Sequence, residues 1–387
     1  MRKLLIVPVI AVITVLFSVL FASLACAAAA DAAPTISAQS AIVIEASTGR
    51  VIYEKDADAQ RSPASMTKIM TCLLALDLLG RHQNVIISQN AYQTEDCPLE
   101  FSAGDLFTAD ELLRGMMLVS DNGAAVALAE TASGSVAKFV DKMNDEAKAL
   151  GMTDTHFANP NGLTNAAHYS TARDMAKLAR HAMTRKDFRD IVSIEKAPIR
   201  WELPRNKVKM VENSNELLGH YDGMTGIKTG WTQDAGGCLA ASARRNGLEL
   251  IAIVMKAPDP KVRFDDARKL LDYGFAQTRL KKGISRDRLR KSVWVKGAKQ
   301  ATVAVHPATD VNYPIIKGED PKRYTVTYDL PKVLEAPVAA GTPVGKIILR
   351  YDGKSVGSVD LLAEQAEQGF SLGSAFVSVF GWLLPRL

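Results

Sequence analysis

Short apolar segments and longer amphipathic segments share the chain between about residues 36 and 280. Apolar stretches at 41–44 and 51–53 flank Gly49 and predict a hairpin; stretches at 239–243 and 248–255 flank an Asn-Gly turn and predict another. Apolar residues elsewhere recur at helical spacing. The predicted helices cover residues 69–79, 109–119, 124–150, 171–183 and 261–273. Strands at both ends with helices between them favour an α+β domain with an antiparallel sheet.

The pattern changes near residue 280. A basic run begins at Arg279 and ends at Lys291, and Asp287 is the one acidic residue within it. Such a run is typical of a solvated linker or face, although it could also lie against anionic lipid or wall polymer. Short alternating segments separated by Gly and Pro follow, and they predict a small all-β sandwich domain. These segments are 293–295, 302–305, 325–328, 347–349 and 356–361.

The first 30 residues have the pattern of a secretory signal peptide. Arg2 and Lys3 precede an uncharged stretch that is apolar to Leu24 and then rich in alanine. An uncleaved membrane anchor is the alternative, because the apolar run is long for a signal peptide. Either interpretation predicts export of the rest of the chain.

The last residues, 366–387, predict an amphipathic helix. Between Gln368 and Leu384 there is no charged residue, and serines gather on one side of the predicted helix. The other side is apolar: Leu372, Phe376, Val379, Phe380 and Leu383. This two-sided pattern favours a helix that lies in a membrane surface, with a core helix as the alternative. We therefore divide the chain into a signal peptide (1–30), an α+β domain (31–280), a β-sandwich (281–365) and an anchor helix (366–387).

Composition excludes several classes of protein. The 387 residues are 47% hydrophobic and 23% charged with a net charge of +5, which argues against global disorder and against a dedicated nucleic-acid binder. Four cysteines, one of them inside the predicted signal peptide, do not form a disulfide framework. The six histidines form no HExxH motif and there is no CxxC pattern, so we expect no metal and no cofactor.

One Ser-x-x-Lys motif stands out among three. Ser65 and Lys68 precede an apolar helix, and their spacing brings the amine within reach of the hydroxyl. A serine hydroxyl is a weak nucleophile until a base removes its proton, and lysine can act as that base when burial or another cation disfavours its charge. The same pattern at Ser135 and Ser193 lies in contexts that predict ordinary helix and surface residues.

Two further motifs follow in the same chain. Ser120-Asp121-Asn122 comes after an apolar run, and Lys228-Thr229-Gly230 stands in a segment with strand character. Lys-Thr-Gly is rare by chance, and its glycine allows a substrate backbone to come close. In this order the three motifs match the set found in penicillin-recognising serine enzymes.

On these motifs the chain resembles the serine-type D-alanyl-D-alanine carboxypeptidases, the low-molecular-mass penicillin-binding proteins. Further stretches that look like this family are 155–163, 169–176, 213–218 and 226–243. The resemblance implies a penicillin-binding-protein/β-lactamase-like fold, with an antiparallel sheet and a helical subdomain, followed by the β-domain and the terminal helix. It implies a cell-wall enzyme that removes the terminal D-alanine from the peptidoglycan stem pentapeptide and is inhibited by β-lactams.

The resemblance also assigns roles to residues. Ser65 is the expected nucleophile, Lys68 its general base, and Ser120 a proton relay toward the leaving amine. Asn122 is expected to bind the substrate amide. Lys228, with Thr229, is expected to bind the terminal carboxylate and, by repulsion, to keep Lys68 neutral. Gly230 completes this motif, and the backbone N–H groups of Ser65 and Trp231 form the expected oxyanion hole.

Two departures from the family pattern concern the substrate. Ser214 stands where some relatives carry a basic residue, which suggests one positive charge fewer near the carboxylate. Trp231 replaces the polar residue of several relatives, so its ring could narrow the cleft or stack on substrate.

Three rival functions share parts of this pattern. A class A β-lactamase needs a deacylating glutamate, and residues 151–173 contain none. A non-catalytic wall-binding module would tolerate loss of the nucleophile, yet all three motifs are intact. A transpeptidase that forms cross-links transfers the acyl group to an amine and not to water. The sequence does not determine which of the two accepts the acyl group. The expected location is the outer face of the cytoplasmic membrane, on the periplasmic or extracellular side.

Overall fold

The computed structural model describes residues 33–364, which form two units. The first contains Val51–Gln277 and the chain before Ser47; the second contains Ser47–Arg50 and the chain from Thr278 onward. The predicted signal peptide and the predicted terminal helix lie outside the described residues. None of the helices within residues 33–364 combines the length and apolar character that are needed to cross a membrane.

The first unit is built around a five-stranded antiparallel sheet with the strand order β2-β1-β9-β8-β7. Both predicted hairpins are present in it. The strands are β1 (Ser40–Glu45), β2 (Val51–Lys55), β7 (Met224–Thr232), β8 (Gly236–Arg245) and β9 (Leu248–Ala257). Two small two-stranded sheets are added: β3 (Asn84–Ile86) with β4 (Leu106–Thr108), and β5 (Lys196–Arg200) with β6 (Val208–Glu212).

Eight α-helices in the described chain complete the first unit. They are α1 (Lys68–Leu78), α2 (Gln89–Tyr92), α3 (Ala109–Leu118), α4 (Asn122–Ser133), α5 (Val136–Ala149), α6 (Ala172–Ala182), α7 (Lys186–Val192) and α8 (Val262–Gln277). Side-chain oxygens cap the N-termini of four longer helices by accepting a backbone N–H; these caps are Thr108, Asp121, Ser135 and Thr171.

The sheet is covered on both faces, which explains why every residue of β1 is buried. Ile42 and Ile44 belong to the main core with the helical part of the chain. The intervening Val43 lies beside Gly274 of α8, where a Cβ atom would come within 3.1 Å of its side chain. Alternate residues of one strand therefore pack against different layers.

The prediction of one continuous helix over residues 124–150 is wrong, because the structure has two helices there. The chain is broken at Gly134, whose φ of +78° is left-handed, and Ser135 caps the next helix. A glycine in this conformation is a common helix C-terminus, so one long helix becomes α4 and α5.

The second unit is all-β in its described part. A six-stranded sheet has the order β14-β16-β17-β12-β11-β15, and β10 pairs with β13. The strands are β10 (Thr278–Ile284), β11 (Lys291–Lys296), β12 (Thr302–Pro307), β13 (Val311–Ile316), β14 (Tyr324–Asp329), β15 (Val333–Glu335), β16 (Pro343–Tyr351) and β17 (Lys354–Ala363). The basic run begins in β10, where Arg279, Lys281 and Lys282 are exposed, so that part is a solvated strand face and not a linker.

Candidate active site

Ser65 lies in a short 3-10 helix, Ala64–Thr67, which leads directly into α1. Ala64 has a left-handed φ of +47° although it is not a glycine. Such a conformation costs about 1–3 kcal/mol and persists where the surroundings enforce it. Thr67 helps to enforce it, because its hydroxyl donates to the Ala64 carbonyl at 2.8 Å. The strained turn leaves Ser65 half-buried and facing a cavity.

The amine of Lys68 has three hydrogen-bond partners. Its Nζ lies 2.6 Å from Asn122 Oδ1, 2.7 Å from the Asn161 carbonyl oxygen and 2.9 Å from Ser65 Oγ. The first two partners can only accept hydrogen bonds. A neutral amine has two N–H groups and one lone pair, so the lone pair of a neutral Lys68 would face the Ser65 hydroxyl. This arrangement fits a general base poised on a serine.

The amine also has the electrostatics of a base. Burial lowers the pKa of Lys68 to about 7, although the nearby carboxylates of Asp121 and Asp96 act to raise it. Burial likewise lowers the pKa of Lys228 well below its ordinary value, and the positive charges of Lys68 and Arg263 lower it further. Desolvation is thus the first cause of the lowered pKa of both amines, and repulsion between the two amines adds to it at Lys228.

The second motif joins α3 to α4. Ser120 lines the cavity with a left-handed φ of +63°, and Asp121 caps α4 by accepting from Ala124 N at 2.8 Å. Asn122 begins α4 and is buried. Its Nδ2 donates to the Glu95 carbonyl at 2.9 Å while its Oδ1 accepts from Lys68. Asn122 therefore holds the amine of Lys68, a role that its motif alone did not predict.

The third motif lies on β7, an edge strand of the five-stranded sheet. Lys228 is almost fully buried, and its Nζ lies 3.5 Å from Thr229 Oγ1. A Cβ atom at Gly230 would come within 3.1 Å of Ser65 N, so glycine allows the strand to approach the Ser65 turn. Trp231 is 53% exposed at the cavity wall.

A cavity of about 1100 Å³ brings most of these residues together. Ser65, Ser120 and Asn122 line it, together with Thr229, Gly230 and Trp231. Lys68 and Lys228 are buried behind these residues. Within residues 33–364, no three His, Cys, Asp or Glu side chains are placed to share a metal ion.

Two further cavity residues lie outside the three motifs. Arg263 of α8 lines the cavity and donates from Nη1 to the Gly230 carbonyl at 2.9 Å. Arg263 supplies a positive charge beside the third motif. The sequence analysis had predicted one positive charge fewer at this place, because Ser214 replaces the basic residue of some relatives. The hydroxyl of Ser214 lies 2.6 Å from Thr229 Oγ1. Ser214 belongs to the family-like stretch 213–218, whereas no local pattern distinguishes Arg263 from a surface residue.

The sequence comparisons agree with this geometry. Residues 27–259 match the family described as D-alanyl-D-alanine carboxypeptidase, and residues 279–368 match the C-terminal domain of penicillin-binding protein 5. The chain belongs to the D-alanyl-D-alanine carboxypeptidase family. One relative is the D-alanyl-D-alanine carboxypeptidase DacF of Bacillus subtilis, 34% identical over 333 residues that cover 85% of each chain. DacC of Escherichia coli is 32% identical over 356 residues, covering 88% of this chain and 87% of DacC.

Solved structures give the same result. Penicillin-binding protein 5 of Haemophilus influenzae has a TM-score of 0.65 and 30% identity, over 87% of this chain and 99% of that one. The Streptomyces K15 DD-transpeptidase matches 63% of this chain and 99% of its own, with 34% identity and a TM-score of 0.61. The α+β domain and the following all-β domain are therefore confirmed. The chain is a serine-type D-alanyl-D-alanine carboxypeptidase of the penicillin-binding protein family.

Proposed function

We propose that Ser65 and Lys68 remove the terminal D-alanine from peptidoglycan stem pentapeptides through an acyl-enzyme. The observation that carries this proposal is the set of contacts at Lys68 Nζ. Two acceptors occupy its N–H groups, so its lone pair is directed to Ser65 Oγ at 2.9 Å. A pKa of about 7 for Lys68 leaves a large fraction of the amine neutral at physiological pH.

Acylation begins when Lys68 takes the proton of the Ser65 hydroxyl. The Oγ atom attacks the carbonyl carbon of the peptide bond between the two D-alanines, and the backbone N–H groups of Ser65 and Trp231 stabilise the oxyanion. The C–N bond then breaks. Lys68 gives up the proton that it took from Ser65, Ser120 relays that proton to the leaving amine, and D-alanine departs. Water hydrolyses the remaining ester, which restores the Ser65 hydroxyl and releases the shortened peptide.

The substrate carboxylate lies beside β7. Lys228 provides the positive charge and the Thr229 hydroxyl a hydrogen bond. Arg263 adds a second cation at the same wall, and its Nε has no hydrogen-bond acceptor within residues 33–364. Binding of an anion raises the pKa of a buried amine, so substrate restores the charge that burial disfavours on Lys228. Asn122 positions Lys68 and reaches the substrate amide at the cavity wall.

Release of D-alanine tests this proposal. We expect the purified protein to release D-alanine from an N-acyl peptide that ends in D-Ala-D-Ala. The matched control is the same peptide with a C-terminal amide, which removes only the carboxylate charge. Its KM is expected to rise about 10- to 100-fold, the usual cost of leaving a buried charge site unpaired. Mass spectrometry after brief penicillin exposure should place the adduct on the peptide that contains Ser65.

Two outcomes would contradict the proposal. One is penicillin labelling of a peptide that lacks Ser65. The other is an amide substrate that is cleaved with the same KM as the free acid, which would remove Lys228 and Arg263 from the binding site. Fast release of the bound drug would instead favour the β-lactamase alternative, and transfer of the acyl group to an added amine would favour a transpeptidase.

The protein is proposed to act at the outer face of the cytoplasmic membrane. The apolar and Ala-rich pattern of residues 1–30 supports export, and the two-sided pattern of residues 366–387 supports a helix on the membrane surface. Deleting residues 366–387 is expected to move the protein from the membrane fraction to the soluble fraction with its carboxypeptidase activity intact. Continued sedimentation with membranes would instead implicate the N-terminal segment.

A further inference from the structure

A buried histidine lies behind the Ser65 turn. His168 is 3% exposed, comes from the segment between α5 and α6, and belongs to none of the three motifs. Its Nε2 lies 2.7 Å from Thr67 Oγ1, and its Nδ1 accepts a hydrogen bond from Ala158 N at 3.0 Å. The mechanism described above makes no use of this side chain.

The hydrogen bonds determine which nitrogen carries the proton. Ala158 N–H can only donate, so Nδ1 of His168 is unprotonated. The single hydroxyl proton of Thr67 goes to the Ala64 carbonyl at 2.8 Å, so Thr67 Oγ1 accepts from Nε2–H. A continuous chain of hydrogen bonds therefore runs from Ala158 N through the imidazole and the Thr67 hydroxyl to the residue before Ser65.

The imidazole is hydrogen-bonded to two segments that both contact the site of Lys68. On one side is the Ala64–Thr67 turn, which places Ser65 and precedes Lys68. On the other side is the 158–163 loop, whose Asn161 carbonyl accepts from Lys68 Nζ at 2.7 Å. The two segments are also in direct contact. A Cβ atom at Gly162 would lie only 2.0 Å from the Ala64 carbonyl oxygen.

We propose that His168 is a positioning residue for acylation, which keeps the Ser65 turn and the 158–163 loop at the separation that Lys68 requires. This proposal rests on the proposed chemistry of Ser65 and Lys68. Protonation of His168 would place an N–H group at Nδ1 against the Ala158 N–H. Burial, with the charges of His156 and Lys68, lowers the pKa of His168 to about 4, so the ring stays neutral where Lys68 titrates.

Its geometry predicts an effect on the rate of acylation and not on recognition of the carboxylate. The residues proposed to bind the substrate carboxylate, Lys228 and Arg263, belong to β7 and α8. The ring of His168 is hydrogen-bonded to Thr67 and Ala158 and to neither of these cations. A displacement of reacting groups by about 1 Å can cost about 100-fold in rate. Loss of the imidazole should therefore lower the acylation rate and leave KM for the N-acyl peptide unchanged.

The test compares two substitutions in the full chain. His168→Leu removes both hydrogen bonds, whereas His168→Gln keeps a carboxamide that can accept from Ala158 N–H and donate to Thr67. We expect His168→Leu to slow acylation by penicillin about 10- to 100-fold, with KM for the peptide within about twofold. His168→Gln should recover most of the rate. The control is His82→Leu, an exposed histidine between α1 and β3, which should acylate at the wild-type rate.

Thr67→Val provides a second measurement if His168→Leu does not fold. It removes only the hydroxyl in the chain of hydrogen bonds, so it should slow acylation in the same direction without changing KM. Wild-type acylation in His168→Leu or in Thr67→Val would overturn the proposal. Equal losses in the Leu and Gln variants would also overturn it, because ring shape and not hydrogen bonding would then be responsible. If penicillin did not label Ser65 in the wild-type protein, the proposed function would be overturned instead.

Discussion

Replacing Ser65 with alanine is expected to abolish the penicillin adduct and to lower D-alanine release by at least about 10³-fold. The substitution removes Ser65 Oγ, the atom proposed to form the acyl ester, and losses of this size or larger follow removal of a serine nucleophile in other enzymes. Substrate should still bind, because Lys228, Thr229 and Arg263 are unchanged. Mass spectrometry of the labelled protein and a D-alanine assay measure the two effects separately.

The chain provides a matched control for this experiment. Ser135 occupies the first position of another Ser-x-x-Lys pattern, where its hydroxyl caps α5. Ser135→Ala should cost about 1 kcal/mol of stability and leave labelling and D-alanine release at wild-type levels. A penicillin adduct on the Ser65→Ala protein, or lost labelling in Ser135→Ala, would show that the wrong motif was chosen.

The sequence predicted the parts of the fold that local patterns encode. The hairpins β1–β2 and β8–β9 follow from apolar stretches with turn residues between them, and α1, α3 and α6 follow from apolar residues at helical spacing. The break between α4 and α5 is not predicted, because apolar residues continue at helical spacing on both sides of Gly134. The short strands β3 to β6 were also missed, since three to five residues carry too little periodicity.

The site was predictable to the extent that its residues stand in motifs. All eight predicted residues are brought together, six at the cavity wall and the two lysines behind it. Arg263 and His168 could not be found this way, because neither belongs to one of the three motifs. The same holds for the Asn161 carbonyl, since a backbone group has no sequence signal. Tertiary packing alone brings the Asn161 carbonyl to Lys68, Arg263 to Gly230 and His168 to Thr67.

Replacing Lys68 with methionine is expected to slow acylation by about 10²- to 10⁴-fold, the usual contribution of a general base. In the wild type, the acylation rate should rise with pH through about 7, because the amine acts only after it has lost its proton. That dependence should vanish in Lys68→Met. The matched control is Lys138→Met, an exposed lysine in the Ser135 motif, which should keep both the rate and the pH profile. An unchanged pH profile in Lys68→Met would assign the titration to another group.

The same substitution should change how stability depends on pH. Lys68 titrates near 7 in the folded protein and near 10.5 when unfolded, so between these values the unfolded chain binds one more proton. The free energy of unfolding therefore rises with pH across this window, by about 1.4 kcal/mol per pH unit from Lys68 alone. In Lys68→Met this contribution is absent, and chemical denaturation at pH 8 and pH 10 should show the smaller slope. Equal slopes in the two proteins would mean that Lys68 stays charged when folded, and a charged amine has no lone pair with which to activate Ser65.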